Sequence, residues 1–362
     1  MELGAIPESG VLLHIGVMKT GTTSLQKDLL SSLGQLQQSK ISVKTPDTWY
    51  KNYSLMDGKP DREQAWLELE QELSGHTGRV VISNESISAA TAEQADRLIR
   101  RLDRPVTVMV SMRSMADLLP STWQQRIKMC RSLKLSYQDW LREIIADEQR
   151  STAVFWKKQD LAKILRNWGA AAGEENLVFV MVDKRSPNIL PRVTEQLLGL
   201  EHSTLGVDGK SRESNQSLSY DAAELLRQVV LESGLPTRDE QRKLSKLLRR
   251  RLARSEQTRE SIPIPTWAAE GIRPVAASFA ADLRASAATL IGDVDQLAVP
   301  TRPTVDSLPE PSSVRFPYAL IASKAALDFG SGNRSSKPAA SETRSTDRRY
   351  QRLLKSARFR SK

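Results

Sequence analysis

Apolar residues along this chain fall into two repeating patterns. Short aliphatic or β-branched runs have the length of buried strands, and between them apolar residues recur every three or four positions, as on one face of a helix. The runs predict strands at Val11–Ile15, Val80–Ser83, Val106–Met112 and Leu177–Val182, and the periodic segments predict helices at Pro60–Leu73, Ala92–Leu102 and Val154–Trp168. Strands that alternate with helices pair in parallel through right-handed crossovers, so we expect an α/β fold with a three-layer parallel sheet.

The first predicted strand runs directly into a loop bounded by two glycines, Gly16 and Gly21. After the loop, Leu25, Leu29 and Leu33 are spaced four apart, as on the buried face of a helix. A strand, a glycine-bounded loop and a helix in this order direct backbone N–H groups and a helix N-terminus towards a phosphate. The pattern therefore predicts a nucleotide-binding site.

This loop differs from the Walker A motif of ATP-binding proteins in the position of its cation. The Walker A motif has a lysine directly after its second glycine, followed by a hydroxyl that binds Mg²⁺. Here Thr22 occupies the lysine position, and the lysine of the loop is Lys19. Thr22, Thr23 and Ser24 offer hydroxyls and amides to a single phosphate, and we expect no requirement for Mg²⁺. The alternative is a glycine turn with a solvated lysine.

A second candidate for phosphate binding follows the predicted strand Val106–Met112. Arg113 comes at the end of this strand, and Ser121 comes eight positions later. A planar guanidinium can bind a phosphate through two hydrogen bonds, whereas a lysine offers a point charge. Pro120 favours the first turn of a helix, so we expect a helix to begin there with Ser121 as its cap. The alternative is a surface arginine and an ordinary N-cap serine.

The two motifs together resemble those of the sulfotransferase family, which uses 3′-phosphoadenosine 5′-phosphosulfate (PAPS) as donor. That family's 5′-phosphosulfate loop is similar to the run Lys19, Thr20, Gly21, Thr22, Thr23, Ser24, and its 3′-phosphate motif is similar to Arg113 with Ser121. The resemblance extends over about residues 10–298 and includes bacterial sulfotransferase-like proteins. It implies a P-loop NTPase-like fold of the sulfotransferase type, with PAPS as co-substrate, 3′-phosphoadenosine 5′-phosphate (PAP) as product and no metal.

Glu85 is the candidate general base, because it follows the predicted strand Val80–Ser83. Ligands of open α/β sheets bind outside the carboxyl ends of the strands, so we expect Glu85 to meet Lys19 and Arg113 in one crevice. Many bacterial members of the family have a similar Ser-x-Glu at this strand end. The alternatives for Glu85 are a helix cap or a structural ion pair. His14 is the rival base, but its position within a strand favours a packed, hydrogen-bonded side chain.

The resemblance implies transfer of a sulfuryl group from PAPS to a hydroxyl, or less favourably an amine, of a carbohydrate, lipid or small metabolite. In this reaction Lys19 and Glu85 are the catalytic candidates. One alternative is a non-catalytic protein that binds PAP on a sulfotransferase-like fold. A divergent P-loop kinase is disfavoured, because Val106–Met112 is not followed by the acidic residue of a Walker B strand.

Charge and composition bear on nucleic-acid binding, on metal binding and on the cellular compartment. Residues 301–362 hold 13 Lys and Arg against 5 Asp and Glu, and the 40 basic and 38 acidic residues before them nearly cancel, which argues against nucleic-acid binding. Three scattered His and one Cys predict no metal site. The single Cys130, together with a start that lacks a basic region and a hydrophobic segment, favours the cytoplasm.

The chain divides by pattern into three parts. Residues 1–205 form the predicted PAPS-binding α/β core, and residues 206–300 form a mainly helical extension, with helices at about residues 215–255 and 275–288. Residues 301–362 read as a disordered basic tail, rich in Pro, Ser and Arg. Within it, Thr346–Arg360 has a helical apolar face among arginines, which suits an acidic membrane surface or partner. The alternative is a solvated tail.

Two segments are candidates for acceptor binding. Trp123 and Arg126 share one face of the helix expected after Pro120, and Trp123 together with Gln124 and Gln125 suits a hydroxylated acceptor such as a sugar. The alternative is a core tryptophan. The aromatic stretch from Lys40 to Lys59 is either a substrate lid or a packed surface loop.

Overall fold

The computed structural model describes residues 3–45, 60–131, 133–183, 185–186, 188–206, 218–255, 261–308, 319, 322–326 and 329. Its strands are β1 (Val11–His14), β2 (Ser42–Lys44), β3 (Val80–Ser83), β4 (Val106–Met112), β5 (Leu177–Met181), β6 (Ile264–Pro265), β7 (Thr289–Ile291) and β8 (Thr304–Val305). Its α-helices are α1 (Thr22–Ser31), α2 (Leu33–Gln38), α3 (Pro60–Gly75), α4 (Ala92–Leu102), α5 (Met115–Lys128), α6 (Tyr137–Ala146), α7 (Trp156–Gln159), α8 (Leu161–Ala172), α9 (Ile189–Leu198), α10 (Tyr220–Glu232), α11 (Arg238–Ser255) and α12 (Thr266–Ala285).

Six strands of the described chain form one sheet in the order β2-β3-β1-β4-β5-β7, and every neighbouring pair is parallel. All residues of β1, β3 and β5 are buried, as expected of strands covered on both faces. The predicted α/β fold with a parallel sheet is therefore confirmed. The strands β2 and β7 add to the four that the sequence predicted.

Helices cover both faces of the sheet. On one face, α1, α2 and α9 share an apolar core with alternate strand residues, among them Val178 and Val180 of β5. Successive side chains of a strand point to opposite faces, so the buried Leu177 and Phe179 face the other side. There α8 packs against β4, β5 and α4. The result is a three-layer arrangement, as predicted.

The chain forms two compact units. The first comprises Met1–Leu118, Asp147–Glu213 and Glu270–Thr301, and it contains the six-stranded sheet. The second comprises Leu119–Ala146, Ser214–Ala269 and Arg302–Lys362, and it contains α6, α10, α11 and the parallel pair β6-β8. The divisions predicted at residues 205 and 300 stay predictions.

The expected helix start at Pro120 is wrong. Helix α5 begins at Met115, where the N–H of Leu118 already donates to the carbonyl oxygen of Ser114 at 3.2 Å, and Pro120 lies inside the helix. The four apolar residues before Pro120 are buried, and this packing outweighs the preference of proline for a first turn. Ser121 is therefore an interior helix residue and not an N-cap.

Two predicted helices are divided. The segment Val154–Trp168 contains α7 and α8, which meet at Asp160, whose side chain accepts a hydrogen bond from the N–H of Lys163 at 3.0 Å and so caps α8. The long helical region to about residue 255 is interrupted between α10 and α11. The second break falls at Gly234 and Pro236, two residue types that commonly interrupt helices.

Parts of other predictions lie outside the described residues. These are residues 46–59 of the lid candidate and most of the basic tail, including Thr346–Arg360. Among the helices that the structure describes, none has both the length and the apolar character to cross a bilayer.

Candidate active site

The site lies where the connections of the sheet change direction. From β1 the chain continues to β2 on one side of the sheet, and from β4 it continues to β5 on the other side, although β1 and β4 are neighbours. Two adjacent strands whose connections run in opposite directions leave a crevice outside their carboxyl ends. The loop after β1 and the turn after β4 border this crevice, and these are the two segments that carry Lys19 and Arg113.

The loop after β1 has the geometry of an anion-binding turn. Lys19 has φ of 74° and Gly21 has φ of 90°, so the backbone turns sharply before α1. No side chain caps α1, and its first turn contains no acidic residue. The first N–H groups of a helix have no partner within the helix, and its N-terminus attracts negative charge. The loop and helix together suit a phosphate or sulfate group.

Arg113 is bound to this loop. Its Nη1 donates a hydrogen bond to the backbone oxygen of Lys19 at 3.2 Å, and its Nη2 donates to Oδ2 of Asp117 at 3.4 Å. Asp117 is fully buried and also accepts a hydrogen bond from the hydroxyl of Thr301. Asp117 therefore fixes the half-buried guanidinium beside the loop.

Glu85 lies on the other side of the loop. It is the first residue of a 3₁₀ helix (Glu85–Ala89) that Asn84 caps by accepting a hydrogen bond from the N–H of Ser86 at 3.0 Å. Oε2 of Glu85 accepts a hydrogen bond from Nε2 of Gln26 at 3.2 Å. Asn84 provides the cap, so the alternative in which Glu85 caps this segment does not apply.

The charges of Lys19 and Glu85 act on each other. Burial lowers the pKa of the Lys19 ammonium, and the negative charge of Glu85 opposes this shift. The structure thus brings together Lys19, Glu85 and Arg113, as the sequence predicted. Their roles in a reaction stay predictions.

His14 is enclosed in the sheet. Its side chain is fully buried, and burial lowers its pKa from 6.5 to about 3. Nδ1 lies 2.9 Å from Oγ of Ser83, and Nε2 lies 3.1 Å from Oγ of Ser111. Both ring nitrogens are therefore engaged within the protein, which is the packed arrangement favoured for this residue.

The remaining residues predicted to bind the donor differ in their burial and in their hydrogen bonds. The buried Thr20 donates its hydroxyl hydrogen to the carbonyl oxygen of Val17 at 2.6 Å, so this group serves the loop itself. Thr22 is buried at the start of α1, whereas Thr23 and Ser24 are exposed there and can face a ligand. Ser121 belongs to the second unit, so its contact with a 3′-phosphate stays a prediction.

Several residues near the loop were not found from the sequence. Lys158 and Gln159 of α7 donate hydrogen bonds to Sδ and to the carbonyl oxygen of Met18, each at 3.4 Å. Their position about 140 residues after the loop leaves no signal in the sequence. Asp117, by contrast, is only four positions after Arg113, so the first turn of α5 and the turn before it bring the two side chains together.

Trp123 is a core residue. It is buried and packs against Tyr137 and Trp140, with ring centroids 5.5 and 5.4 Å away. The core alternative therefore describes Trp123, and the acceptor pocket is not identified by this side chain.

No protein-family model and no curated protein sequence matches this chain. Among solved structures, it is similar to a crystal structure of a sulfotransferase from Alicyclobacillus acidocaldarius, with 15% sequence identity and a TM-score of 0.43. The similarity covers 78% of this chain and 95% of that chain. A likeness this distant shows neither an activity nor a substrate.

Proposed function

We propose that this protein transfers a sulfuryl group from PAPS to a hydroxyl, or less favourably an amine, of a carbohydrate, lipid or small-metabolite acceptor. The observation that carries the proposal is the arrangement around Lys19. Its ammonium interacts with the Glu85 carboxylate, and its backbone oxygen accepts a hydrogen bond from Arg113. The charges of Lys19, Arg113 and Glu85 thus lie near the N-terminus of a helix without acidic residues in its first turn.

The positions of these charges support the proposed binding of the donor. The loop from Lys19 to Ser24 and the N-terminus of α1 bind the 5′-phosphosulfate, because backbone N–H groups and the helix dipole favour anions there. Arg113, with Ser121 as a further candidate, binds the 3′-phosphate. A guanidinium suits this group, because its planar N–H groups match two phosphate oxygens. The 3′-phosphate then distinguishes PAPS from ATP.

The chemical step needs one acid–base group and one charge stabiliser. The acceptor oxygen forms a bond to sulfur while the bond between sulfur and the 5′-phosphate oxygen breaks, and PAP leaves. Glu85 takes the proton of the acceptor hydroxyl, which is general base catalysis. The ammonium of Lys19 stabilises the negative charge on the departing phosphate oxygen, an effect typically of about 3–4 kcal/mol. The proposed step uses no Mg²⁺.

Calorimetric titration with PAP and with AMP tests the donor site. We expect PAP to bind at least about tenfold more tightly, because only PAP has the 3′-phosphate that Arg113 can bind. R113K should reduce this preference, since a lysine lacks the planar fork. The matched control is R100K on the exposed face of α4, which should retain it. Equal affinities for PAP and AMP in the unaltered protein would contradict the proposal.

Turnover separates the alternatives. With radiolabelled PAPS and a cell extract as acceptor source, we expect labelled product, and E85Q should bind PAP yet lose about 10²–10⁴-fold in rate. Binding of PAP without any product would favour the non-catalytic alternative. Phosphoryl transfer from ATP with Mg²⁺ would favour the kinase.

A further inference from the structure

A chain of hydrogen bonds connects the Glu85 carboxylate through the interior of the sheet to the phosphate loop, which is the loop after β1 that is proposed to bind the 5′-phosphosulfate. The chain crosses the carboxyl ends of the neighbouring strands β3, β1 and β4. Its members, in order, are Glu85, Gln26, Ser83, His14, Ser111, Thr20 and the carbonyl oxygen of Val17, and the successive distances are 3.2, 3.3, 2.9, 3.1, 2.7 and 2.6 Å.

The direction of each bond follows from the loop end. A carbonyl oxygen can only accept, so Thr20 must give its hydroxyl hydrogen to Val17. Thr20 then accepts from Ser111, whose own hydrogen is used in that bond. Ser111 can therefore only accept from His14, and Nε2 of His14 carries the hydrogen. The imidazole is the Nε2–H tautomer.

The other end of the chain agrees with this tautomer. A neutral imidazole with hydrogen on Nε2 accepts at Nδ1, so Ser83 donates its hydroxyl hydrogen to Nδ1. Ser83 in turn accepts from the amide of Gln26. The same amide nitrogen lies 3.2 Å from the backbone oxygen of Ser83 and 3.2 Å from Glu85, so its two hydrogens serve three acceptors and one of them is shared. Neither of these two oxygens can donate, so the orientation of the Gln26 amide is fixed as well.

The opposite tautomer breaks the chain. If Nδ1 carried the hydrogen, Nε2 would have to accept from Ser111, and the bond from Ser111 to Thr20 would lose its hydrogen. A buried polar group would remain without its bond, and His14, Ser83, Ser111 and Thr20 are all at most 1% exposed. A buried polar group without a hydrogen-bond partner is destabilising, so the Nε2–H tautomer is favoured.

Gly16 provides the space for the central bond. A Cβ at this position would lie 2.0 Å from Oγ of Ser111 and 2.8 Å from Nε2 of His14. The first glycine of the loop is therefore required by the contact between His14 and Ser111.

We propose that His14 is a positioning residue that, as the Nε2–H tautomer, holds the phosphate loop through Ser111 and Thr20 and holds Glu85 through Ser83 and Gln26. Its two ring nitrogens thus serve the two halves of the site. His14 does not touch the substrate. Its effect on turnover rests on the proposed function, whereas its protonation and its bonds do not.

Two substitutions of His14 test its two ring nitrogens separately. The shorter amide of H14N can replace Nδ1 and accept from Ser83, but it does not reach Ser111. The longer amide of H14Q can replace Nε2 and donate to Ser111, but it leaves Ser83. We expect H14N to weaken PAP binding about tenfold with a smaller loss of kcat, and H14Q to change PAP affinity by less than about threefold with a larger loss of kcat.

A merely structural role would give a different result. It would lower the melting temperature of both variants and change affinity and kcat by the same factors in both. Equal effects of H14N and H14Q on PAP affinity and on kcat would therefore overturn the proposal.

Nitrogen-15 NMR of the unaltered protein tests the hydrogen-bonded chain without any substrate. The protein contains three histidines, and the His14 signals are those absent from the spectrum of H14Q. We expect the Nε2–H pattern, unchanged between pH 8 and pH 5, with S111A shifting the Nε2 signal and S83A shifting the Nδ1 signal. An Nδ1–H or doubly protonated ring at pH 7 would overturn the proposal. If PAP does not bind but this pattern is found, the proposed function fails and the hydrogen-bonded chain remains.

Discussion

At the scale of single residues, two opposing effects act on the pKa of the Lys19 ammonium. Its side chain is half-buried, which disfavours the charged ammonium, and Glu85 is close enough to favour it. The ammonium must be charged to bind a phosphosulfate. The carboxylate proposed as the base therefore also maintains the charge of the lysine.

The first prediction concerns the pH dependence of PAP binding. Burial places the pKa of Lys19 below its ordinary 10.5, and removing the charge of Glu85 lowers it further. Because the charged fraction of a lysine falls as pH rises through its pKa, PAP affinity of E85Q should decline at a lower pH than that of the unaltered protein. Calorimetry between pH 7 and pH 10 measures both curves. The exposed E93Q on α4 is the control, and coincident curves for E85Q and the unaltered protein would show that the two charges do not interact.

The sequence predicted which charged residues meet but not how they are held. Lys19, Glu85 and Arg113 follow strands, and the parallel sheet places such residues at one edge. Gln26, Ser111 and Asp117 act through distances of 2.7–3.4 Å to other side chains, which depend on strand order and register. Neither is determined by local pattern, because only the folded sheet places β1 between β3 and β4.

At the scale of elements, the backbone turn at Gly21 sets the direction in which the loop after β1 enters helix α1. Gly21 precedes the helix with φ of 90°, a conformation that residues with a Cβ rarely adopt. Space is not the reason, because the nearest atom to a Cβ at this position would be 3.9 Å away. The requirement at Gly21 is therefore conformational.

The second prediction is that G21A lowers both stability and PAP affinity. The left-handed conformation costs a residue with a Cβ about 1–2 kcal/mol, and relief of this strain would turn the loop away from its present geometry. Urea unfolding and calorimetry measure the two effects. The control is G34A in α2, where φ is not positive and nothing lies within 4 Å, so neither quantity should fall. An unchanged PAP affinity of G21A would show that the loop conformation does not matter for binding.

The elements that the sequence missed share a physical cause. Strand β2 has three residues with alternating burial at one edge of the sheet, and β7 has three half-buried residues at the other edge. Short edge strands have no continuous apolar run. Helix α5 was placed too late for a different reason, because burial of its first residues outweighed the positional preference of Pro120.

At the scale of the whole molecule, each compact unit is assembled from three separate chain segments. In the first unit, β7 joins β5 across more than 100 residues of sequence, most of which belong to the second unit. Such pairing is set by tertiary contacts, so the two units do not correspond to continuous stretches of the sequence. The charge of the chain is equally uneven, since residues 331–362 contain ten basic and two acidic residues.

The third prediction concerns this basic segment. A chain that ends at residue 330 should bind PAP at 0.15 M salt within about twofold of the full chain, because every residue proposed to bind the donor precedes residue 122 and salt screens long-range attraction by the tail. The same truncation should reduce binding to vesicles that contain an anionic lipid, which a polybasic segment attracts. Calorimetry and vesicle sedimentation measure the two quantities. Loss of PAP binding on truncation would show that the segment contributes directly to the donor site.

Gly16 also constrains how this sequence can diverge. Since a methyl group there would overlap the hydroxyl of Ser111 and crowd the ring of His14, substitutions at these three positions are not independent. A larger residue at position 16 therefore requires that the side chains at 111 and 14 change or move as well. We expect the residues at positions 14, 16 and 111 to covary among the folded members of any randomised library of this protein.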